Sequence, residues 1–329
     1  MRAPAFWQRG TPDAQARLLQ PLSWIYGAVA ARRMKRDGVR ATAPVLCIGN
    51  FTAGGAGKTP AAIACAKMLR EMGEAPAFLS RGFGGALSSE QPLQVDASLH
   101  EAADVGDEPL LLAREAPAFI CTDRVAGAEA AAQAGASVIV MDDGLQNASL
   151  RKDVTLAIVD GAVGFGNGLC IPAGPLRAPL RAQWPLCDAL IVVGEGHAGD
   201  RAARDAAQAQ RPVLRAHLAP IDGARFRGRK VFAFAGIGRP EKFFDTLRDC
   251  GAQIVATRSF DDHQLFEADD LKLLAGEAAS AHADMMVTTE KDAARIKPGA
   301  LPGLEVLKVE MKFDDEPALR TLLAKLRRE

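Results

Sequence analysis

One segment near the N-terminus constrains the fold of this 329-residue chain more than any other. An apolar run, Pro44 to Asn50, precedes a glycine-rich stretch, and a helical pattern from Ala61 to Met72 follows it. The stretch reads Thr52-Ala53-Gly54-Gly55-Ala56-Gly57-Lys58-Thr59. Strand, glycine-rich loop and helix in this order are typical of a phosphate-binding loop, because backbone N–H groups and the helix N-terminus face the anion. We expect residues 52–59 to bind the phosphates of ATP.

Two side chains at the end of this loop carry the expected chemistry. Lys58 would reach the β- and γ-phosphates, and the Thr59 hydroxyl would ligate Mg²⁺. The usual first glycine of such a loop is replaced by Thr52. The alternative is a glycine-rich turn with an incidental Lys-Thr pair, but that interpretation leaves the flanking strand and helix unexplained.

A second candidate segment is the apolar run from Val138 to Met141, which ends in Asp142 and Asp143. In a phosphate-loop protein, an acid at the end of such a strand holds the magnesium of the nucleotide. The alternative is a solvated strand end with Gly144 as its turn. Both aspartates are candidate metal ligands, and the sequence does not distinguish between them.

Phosphoryl transfer to a hydroxyl also needs a base and cationic groups. Asp107 and His263 are the candidate bases, since both lie in predicted loops and His263 has acidic neighbours. Arg81, Arg124 and Arg177 are candidates for binding an anionic substrate. Each of these five residues has an ordinary alternative, as a helix cap or a solvated surface group.

The order of the predicted elements indicates an α/β fold. Apolar, β-branched runs alternate with helical patterns, which favours a mostly parallel sheet covered by helices on both faces. A Pro and Gly cluster near 220–229 marks a boundary. We expect a phosphate-loop domain over residues 41–222 and a smaller α/β domain over residues 223–329.

Residues 1–40 form a separate basic segment. They contain eight Lys or Arg and two acids, a net charge of +6, whereas the whole chain has a formal net charge of zero, which gives no reason to expect a nucleic-acid partner. Thr11-Pro12-Asp13 predicts a helix start, and Pro21 is expected to interrupt that helix or to start a second one. The residues Leu18, Leu22, Ile25 and Val29 then fall on one helical stripe.

This stripe has two interpretations. A helix with aromatic residues, leucines and a basic end is typical of a membrane interface, and an amphipathic helix packed on the protein body is the alternative. The sequence has no apolar run of about 18 residues and no signal-peptide pattern. The six dispersed cysteines fit a reducing cytosol.

Taken together, the motifs resemble those of the tetraacyldisaccharide 4′-kinase family. The resemblance extends in order from about residue 45 to residue 295. Beyond the phosphate loop, the matching segments are Ser80–Gly84, Gly106–Pro109, Asp142–Gln146, Pro172–Arg177, Ala235–Ile237, Phe260–His263 and Thr289–Asp292. This ordered set is far more specific than a phosphate loop alone.

The resemblance implies an ATP- and Mg²⁺-dependent kinase that phosphorylates the 4′-hydroxyl of a tetraacylated glucosamine disaccharide 1-phosphate, giving lipid IVA. It implies two α/β/α domains with the site between them, and an N-terminal helix against the cytoplasmic face of the bacterial inner membrane. No obligate protein partner is expected. Lys58, Thr59, Asp142 and Asp143 match the phosphate and metal positions. Asp107 matches the family's proposed base and His263 its partner.

Three positions depart from the family's usual pattern. Asp261 and Gln264 occupy places where Pro and a second His are usual, and Asn147 stands where His is frequent. The Asp262-His263 step is retained, so we keep the assignment of His263. We assign no role to Asn147.

Two other classes of protein remain as alternatives. One is a phosphate-loop ligase or synthetase, and a soluble carboxylate substrate would reveal it. The other is a GTPase-like switch, which would need an Asn-Lys-x-Asp segment for guanine recognition. Thr289-Glu290-Lys291-Asp292 comes nearest but lacks the Asn.

Overall fold

The computed structural model describes residues 4–327, so Arg2 of the basic segment lies outside the described residues. Within that range the chain forms twelve strands and eleven helices. The strands are β1 Val45–Gly49, β2 Pro76–Ser80, β3 Leu93–Gln94, β4 Ala118–Ile120, β5 Val138–Asp142, β6 Val154–Asp160, β7 Ala189–Val193, β8 Val213–Ile221, β9 Lys230–Ala235, β10 Gln253–Ser259, β11 Met285–Thr289 and β12 Leu304–Phe313.

The helices range from one turn to six turns in length. They are α1 Ala14–Met34, α2 Lys58–Glu71, α3 Ala102–Val105, α4 Asp107–Ala113, α5 Arg124–Gln133, α6 Leu180–Gln183, α7 His197–Gln208, α8 Pro240–Asp249, α9 Ala268–Ser280, α10 Glu290–Ala294 and α11 Glu316–Leu323.

All twelve strands belong to one sheet with the order β10-β9-β11-β12-β8-β7-β6-β1-β5-β2-β4-β3. Neighbours are parallel except at β3–β4 and β12–β8. Strands β1, β5, β6 and β7 are buried along their whole length, as expected for strands covered on both faces. The predicted mostly parallel α/β sheet is confirmed.

The sheet passes continuously from the predicted phosphate-loop region into residues 223–329. Strand β12 pairs antiparallel with β8, from Lys308 opposite Ile221 to Phe313 opposite Ala216. Strands β9 to β11 have apolar clusters of their own on both faces. Helix α11 instead packs its Leu319 and Leu323 into the cluster that covers β1 and α2.

The loops after β1 and β9 approach each other although their strands are far apart in the sheet. Strands β1 and β9 are six positions apart in the sheet order, which corresponds to about 29 Å if the sheet were flat. A Cβ placed on Gly238, just after β9, would nevertheless lie 3.8 Å from the backbone nitrogen of Gly55, just after β1. The loop after β9 therefore lies against the phosphate loop.

Helix α1 corrects two expectations. It runs unbroken through Pro21, so the predicted interruption is wrong. Its cap is Asp13, whose Oδ1 accepts from the Ala16 nitrogen at 2.9 Å, and not Thr11. Because Ala16 before the proline and Ser23 after it are both buried, packing on either side keeps the helix continuous.

The body of the protein contacts the narrow face of α1. The buried residues of α1 are Ala16, Ser23, Gly27 and Met34. A Cβ on Gly27 would lie 3.2 Å from Cys170 Sγ, so a small residue is needed there for close approach. The predicted apolar stripe points outward, and its exposed members, with two aromatic neighbours, are Leu18, Leu22, Trp24, Ile25, Tyr26 and Val29. Among the described residues, none of the helices combines the length and apolarity that crossing a membrane requires.

Candidate active site

The predicted phosphate loop lies between the end of β1 and the start of α2. The Asn50 side chain donates to the Gly54 carbonyl at 3.0 Å, and the Ala53 nitrogen donates to the Pro175 carbonyl at 2.7 Å. Gly57 precedes α2 with φ 89°, a left-handed conformation that favours glycine. Lys58 and Thr59 open the helix and are buried. Gly54 and Gly55 of the same loop are exposed, and Thr52 and Ala56 lie on either side of them.

Two glutamines form hydrogen bonds at the start of this loop. Gln146 Nε2 donates to the Asn50 carbonyl and to Gln183 Oε1, each at 2.8 Å. Gln183, fully buried, donates in turn to the Ala178 carbonyl at 2.6 Å. No sequence pattern predicted a role for Gln183, because a glutamine in a short helix is ordinarily a surface residue.

The two aspartates after β5 differ sharply in their surroundings. Asp142 is 1% exposed, and neither of its carboxylate oxygens has a hydrogen-bond partner in the described chain. Burial, with the nearby charge of Glu108, raises the pKa of Asp142 to about 7. In the sheet, Asp142 lies opposite Ile48 of β1, so it sits beside the strand that leads into the phosphate loop.

Asp143 is held by cations. Arg177 donates to its two oxygens at 2.6 and 2.9 Å, and Lys58 Nζ lies 3.8 Å from Oδ2. Burial alone would raise the pKa of Asp143, but the charges of Lys58 and Arg177 lower it below its usual value. Asp143 is therefore ionised and already paired.

These surroundings fit a magnesium ion at Asp142. In residues 4–327, no cluster of three or more His, Cys, Asp or Glu side chains is arranged to hold a metal. Mg²⁺ in nucleotide sites needs only one or two protein ligands, because phosphates and water complete its shell. A buried carboxylate with two unpartnered oxygens beside the phosphate loop supplies such a ligand, and the buried Thr59 hydroxyl supplies a second.

Asp107 and His263 are 156 residues apart in sequence and in direct contact. His263 Nδ1 lies 3.0 Å from Asp107 Oδ2. Asp107 begins α4 and is buried, and its other oxygen accepts from the Glu108 nitrogen at 2.9 Å. His263 lies in the loop after β10 with φ 61° and is partly exposed. The structure thus places in contact the two residues that the family resemblance pairs.

Electrostatics keep Asp107 ionised and favour the protonated imidazole of His263. Burial would raise the pKa of Asp107, but the bond from His263, with the charges of Lys291 and Arg295, lowers it to about 2. The bond to Asp107 raises the pKa of His263 despite its partial burial. Asp107 is therefore ionised across the physiological pH range.

The site contains charged residues that sequence reasoning did not assign. Lys291 on α10 pairs with Glu108, the neighbour of Asp107. Arg295 Nε lies 3.6 Å from Asp107 Oδ2. The segments Gly106–Pro109 and Thr289–Asp292 did signal two of these positions, but only their packing shows that they meet.

A further ion pair lies where the loop after β9 approaches the phosphate loop. Arg239 Nη1 contacts Asp160 Oδ1, at the end of β6, at 2.6 Å. Lys242 Nζ lies 3.4 Å from the other oxygen. The pair ties α8 to the first half of the sheet.

The three predicted substrate arginines have different environments. Arg81 is exposed, whereas Arg124 is 5% exposed and its Nε has no partner in the described chain. Burial and the charge of Arg81 lower the pKa of Arg124, so these two guanidiniums lie near each other. Arg177 is bound to Asp143 and also lines a groove of about 540 Å³. The other lining residues are Tyr26, Val29, Ala30, Arg33, Met34, Gln146 and Ile171.

A phosphate loop, a buried unpaired aspartate beside it and an Asp-His pair define a phosphate-loop phosphotransferase. The family model "LpxK: Tetraacyldisaccharide-1-P 4′-kinase" matches residues 15–328. The chain belongs to this family, which confirms the resemblance of its motifs.

Relatives and a solved structure agree with this assignment. The tetraacyldisaccharide 4′-kinase of Methylobacterium radiotolerans is 56% identical over 97% of both chains. That of Bradyrhizobium diazoefficiens is 48% identical over 98% of this chain and 96% of its own. A crystal structure of "apo" form LpxK from Aquifex aeolicus in complex with ATP superposes with a TM-score of 0.72 at 21% identity, covering 94% of this chain and 99% of that one. This similarity shows that the fold is shared.

Proposed function

We propose that this chain transfers the γ-phosphate of ATP to the 4′-hydroxyl of a tetraacylated glucosamine disaccharide 1-phosphate, giving lipid IVA. The observation that carries the proposal is the family match over residues 15–328, on a chain that retains Gly57-Lys58-Thr59 between a strand and a helix. The two relatives cited above are both named tetraacyldisaccharide 4′-kinase. Each aligns with this chain over nearly its whole length.

The nucleotide would occupy the loop from Thr52 to Thr59, with its phosphates against the backbone N–H groups and Lys58 beside the γ-phosphate. Thr59 and Asp142 would hold Mg²⁺. When bound, the ion would neutralise charge on the β- and γ-phosphates. Asp143 would keep Lys58 and Arg177 in place, since it contacts both.

Asp107 would orient the sugar hydroxyl and accept its proton, with His263 holding the carboxylate. Three contacts support this role: the 3.0 Å bond to His263, the bond from the Glu108 nitrogen and the proximity of Arg295. They fix the direction of the carboxylate, which favours a defined acceptor geometry. A base of this kind contributes about 10²–10⁴-fold to the rate.

The lipid would arrive along α1. The outward stripe of α1 and the basic run Arg32–Arg36 favour a peripheral position on an anionic membrane, and we assign it to the cytoplasmic face of the inner membrane. The groove between Tyr26 and Arg177 extends from that helix to the arginine that contacts Asp143. Arg81, Arg124 or Arg177 would bind an anionic group of the lipid or nucleotide.

The domain division remains part of this proposal. Residues 41–222 would form the phosphate-loop kinase domain and residues 223–329 the smaller unit that carries His263. The catalytic cleft would lie between them, since the Asp107–His263 bond joins one range to the other.

The direct test is incubation with labelled ATP, Mg²⁺ and the tetraacyl disaccharide 1-phosphate in detergent, followed by chromatography of the lipid. We expect a labelled product with one additional phosphate, and activity with ATP above that with GTP. Transfer of the label to a soluble carboxylate substrate would instead favour a ligase. The absence of labelled lipid, with an enzyme that is folded and binds ATP, would contradict the proposal.

A further inference from the structure

Arg295 lies at the meeting point of three segments around the candidate active site. Its side chain is 2% exposed. Its guanidinium donates to the carbonyls of Gly236 at 3.0 Å and Gln264 at 2.7 Å, and to Asp292 Oδ1 at 2.7 Å. The rigid fork of an arginine places several donors at once, so Arg295 fixes the loops after β9 and β10 against α10.

These bonds hold the backbone on either side of His263. The His263 nitrogen donates to the Gly236 carbonyl at 3.2 Å, the same oxygen that accepts from Arg295. Asp292 Oδ1 also accepts from the Gly236 nitrogen at 2.8 Å. His263 has φ 61°, a conformation that persists in a residue with a side chain only where surrounding contacts impose it.

The same guanidinium reaches the base. Its Nε lies 3.6 Å from Asp107 Oδ2, the oxygen that faces His263 Nδ1. This distance is an ion-pair contact and is too long for a hydrogen bond. Arg295 therefore acts on both partners: it fixes the loop of the imidazole and provides a charge beside the carboxylate.

We infer that Arg295 is a positioning residue, which sets the geometry of the Asp107–His263 pair for phosphoryl transfer. The inference rests on the proposed function and adds to it a residue that neither transfers a proton nor binds phosphate. Displacing a reacting group by about 1 Å costs roughly 100-fold in rate, so loss of the clamp should appear in kcat.

A double-mutant cycle tests the inference with the full-length enzyme. We expect Arg295→Gln to lower kcat about 10–100-fold while the KM for ATP stays within about threefold. In a His263→Ala background the same substitution should cost less than about threefold, because the pair it positions is already lost. Equal fold losses in both backgrounds would show a general structural role and overturn the inference.

Two further variants keep the experiment decisive. Arg295→Lys retains the charge but not the fork, and we expect a kcat between those of the wild type and Arg295→Gln. If Arg295→Gln does not fold, the cycle is run with Arg295→Lys, judged by the same criterion. Arg258→Gln removes an arginine that pairs with Glu277 of α9 at 2.6 Å, and this substitution should leave kcat unchanged.

The same assay separates the two proposals. A folded wild type without lipid kinase activity would overturn the proposed function and this inference with it. If the wild type is active but the losses of Arg295→Gln and His263→Ala multiply in the double variant, only the role of Arg295 is overturned.

Discussion

Arg177 contacts both carboxylate oxygens of Asp143, whereas both oxygens of the preceding Asp142 have no hydrogen-bond partner in the described chain. The two neighbouring acids are thus chemically distinct. One is neutralised by the protein, and the other would hold, in the proposed mechanism, a cation that the nucleotide brings.

The first prediction separates the two aspartates. Asp142→Asn should abolish Mg²⁺-dependent activity, and it should raise the Tm of the metal-free protein by a few degrees near neutral pH. Removing a buried carboxylate that has no hydrogen-bond partner should raise the free energy of unfolding by about 1–3 kcal/mol. Asp143→Asn should lower the Tm, since it leaves Arg177 unpaired. Calorimetry with and without Mg²⁺ measures both, and a Tm that falls in both variants would contradict the assignment.

The second prediction concerns Lys58. Lys58→Ala should reduce kinase activity by at least about 100-fold, because the charge beside the transferred phosphate is lost. Lys67→Ala is the matched control: it lies on the same helix, is half-exposed and pairs with Glu115 at 3.4 Å. Normal turnover of Lys58→Ala would be incompatible with phosphate binding at this loop.

The third prediction concerns the base. Asp107→Ala should lower kcat by about 10²–10⁴-fold and leave ATP affinity largely intact. Asp269→Asn, on the exposed face of α9, serves as the control carboxylate. Steady-state kinetics and nucleotide titration give the two quantities separately. A variant that keeps nearly full turnover would remove Asp107 from the mechanism.

The fourth prediction is the pH dependence of stability. The folded pKa of Asp107, about 2, lies below the ordinary 3.8, so its contribution is present above pH 3.8 and is lost as pH falls toward 2. The pKa of His263 is raised above 6.5, so its contribution is present below pH 6.5 and is lost as pH rises through the folded value. The pair should therefore stabilise the protein most between these limits, by about 2 kcal/mol from Asp107.

Urea unfolding of the wild type and His263→Asn at pH values of about 3, 5.5 and 9 checks this. The difference in unfolding free energy should be largest at the middle value. A difference that is constant across the range would show that the two groups are not linked by charge.

The fifth prediction concerns the outward stripe of α1. The double substitution Leu22→Glu with Trp24→Glu should weaken binding to anionic vesicles and raise the KM for the lipid by about tenfold or more, since each buried apolar side chain contributes about 1.5–3 kcal/mol. The Kd for ATP should not change. Leu273→Glu, at an exposed position on α9, is the control. Unchanged vesicle binding would favour a solvent-facing stripe.

Much of the fold was predictable because its strands are strongly apolar. The apolar run from Val138 to Met141 forms β5, which ends at Asp142, and α2 begins at Lys58, three residues before the predicted start at Ala61. Helix α7 was missed. It buries only Gly199, Ala202 and Ala206 and has no large apolar residue to set a period.

The site was predictable where chemistry leaves a local pattern and not where it depends on packing. The spacing of the glycines predicted Lys58 and Thr59 as site residues, and the end of an apolar strand predicted Asp142. The inequality of the two aspartates depends on Arg177, which is 34 residues from Asp143 in sequence. The clamp of Arg295 depends on three segments meeting, and no single stretch of sequence contains that information.

The antiparallel junction of β8 and β12 links the strands on which the phosphate loop and His263 depend. Because the Asp107–His263 bond spans that junction, we expect the separation of these two residues to follow the twist of the hydrogen-bond ladder. Substitutions at the exposed pair His217 and Lys312 of the ladder would then alter turnover by changing the pitch of the sheet.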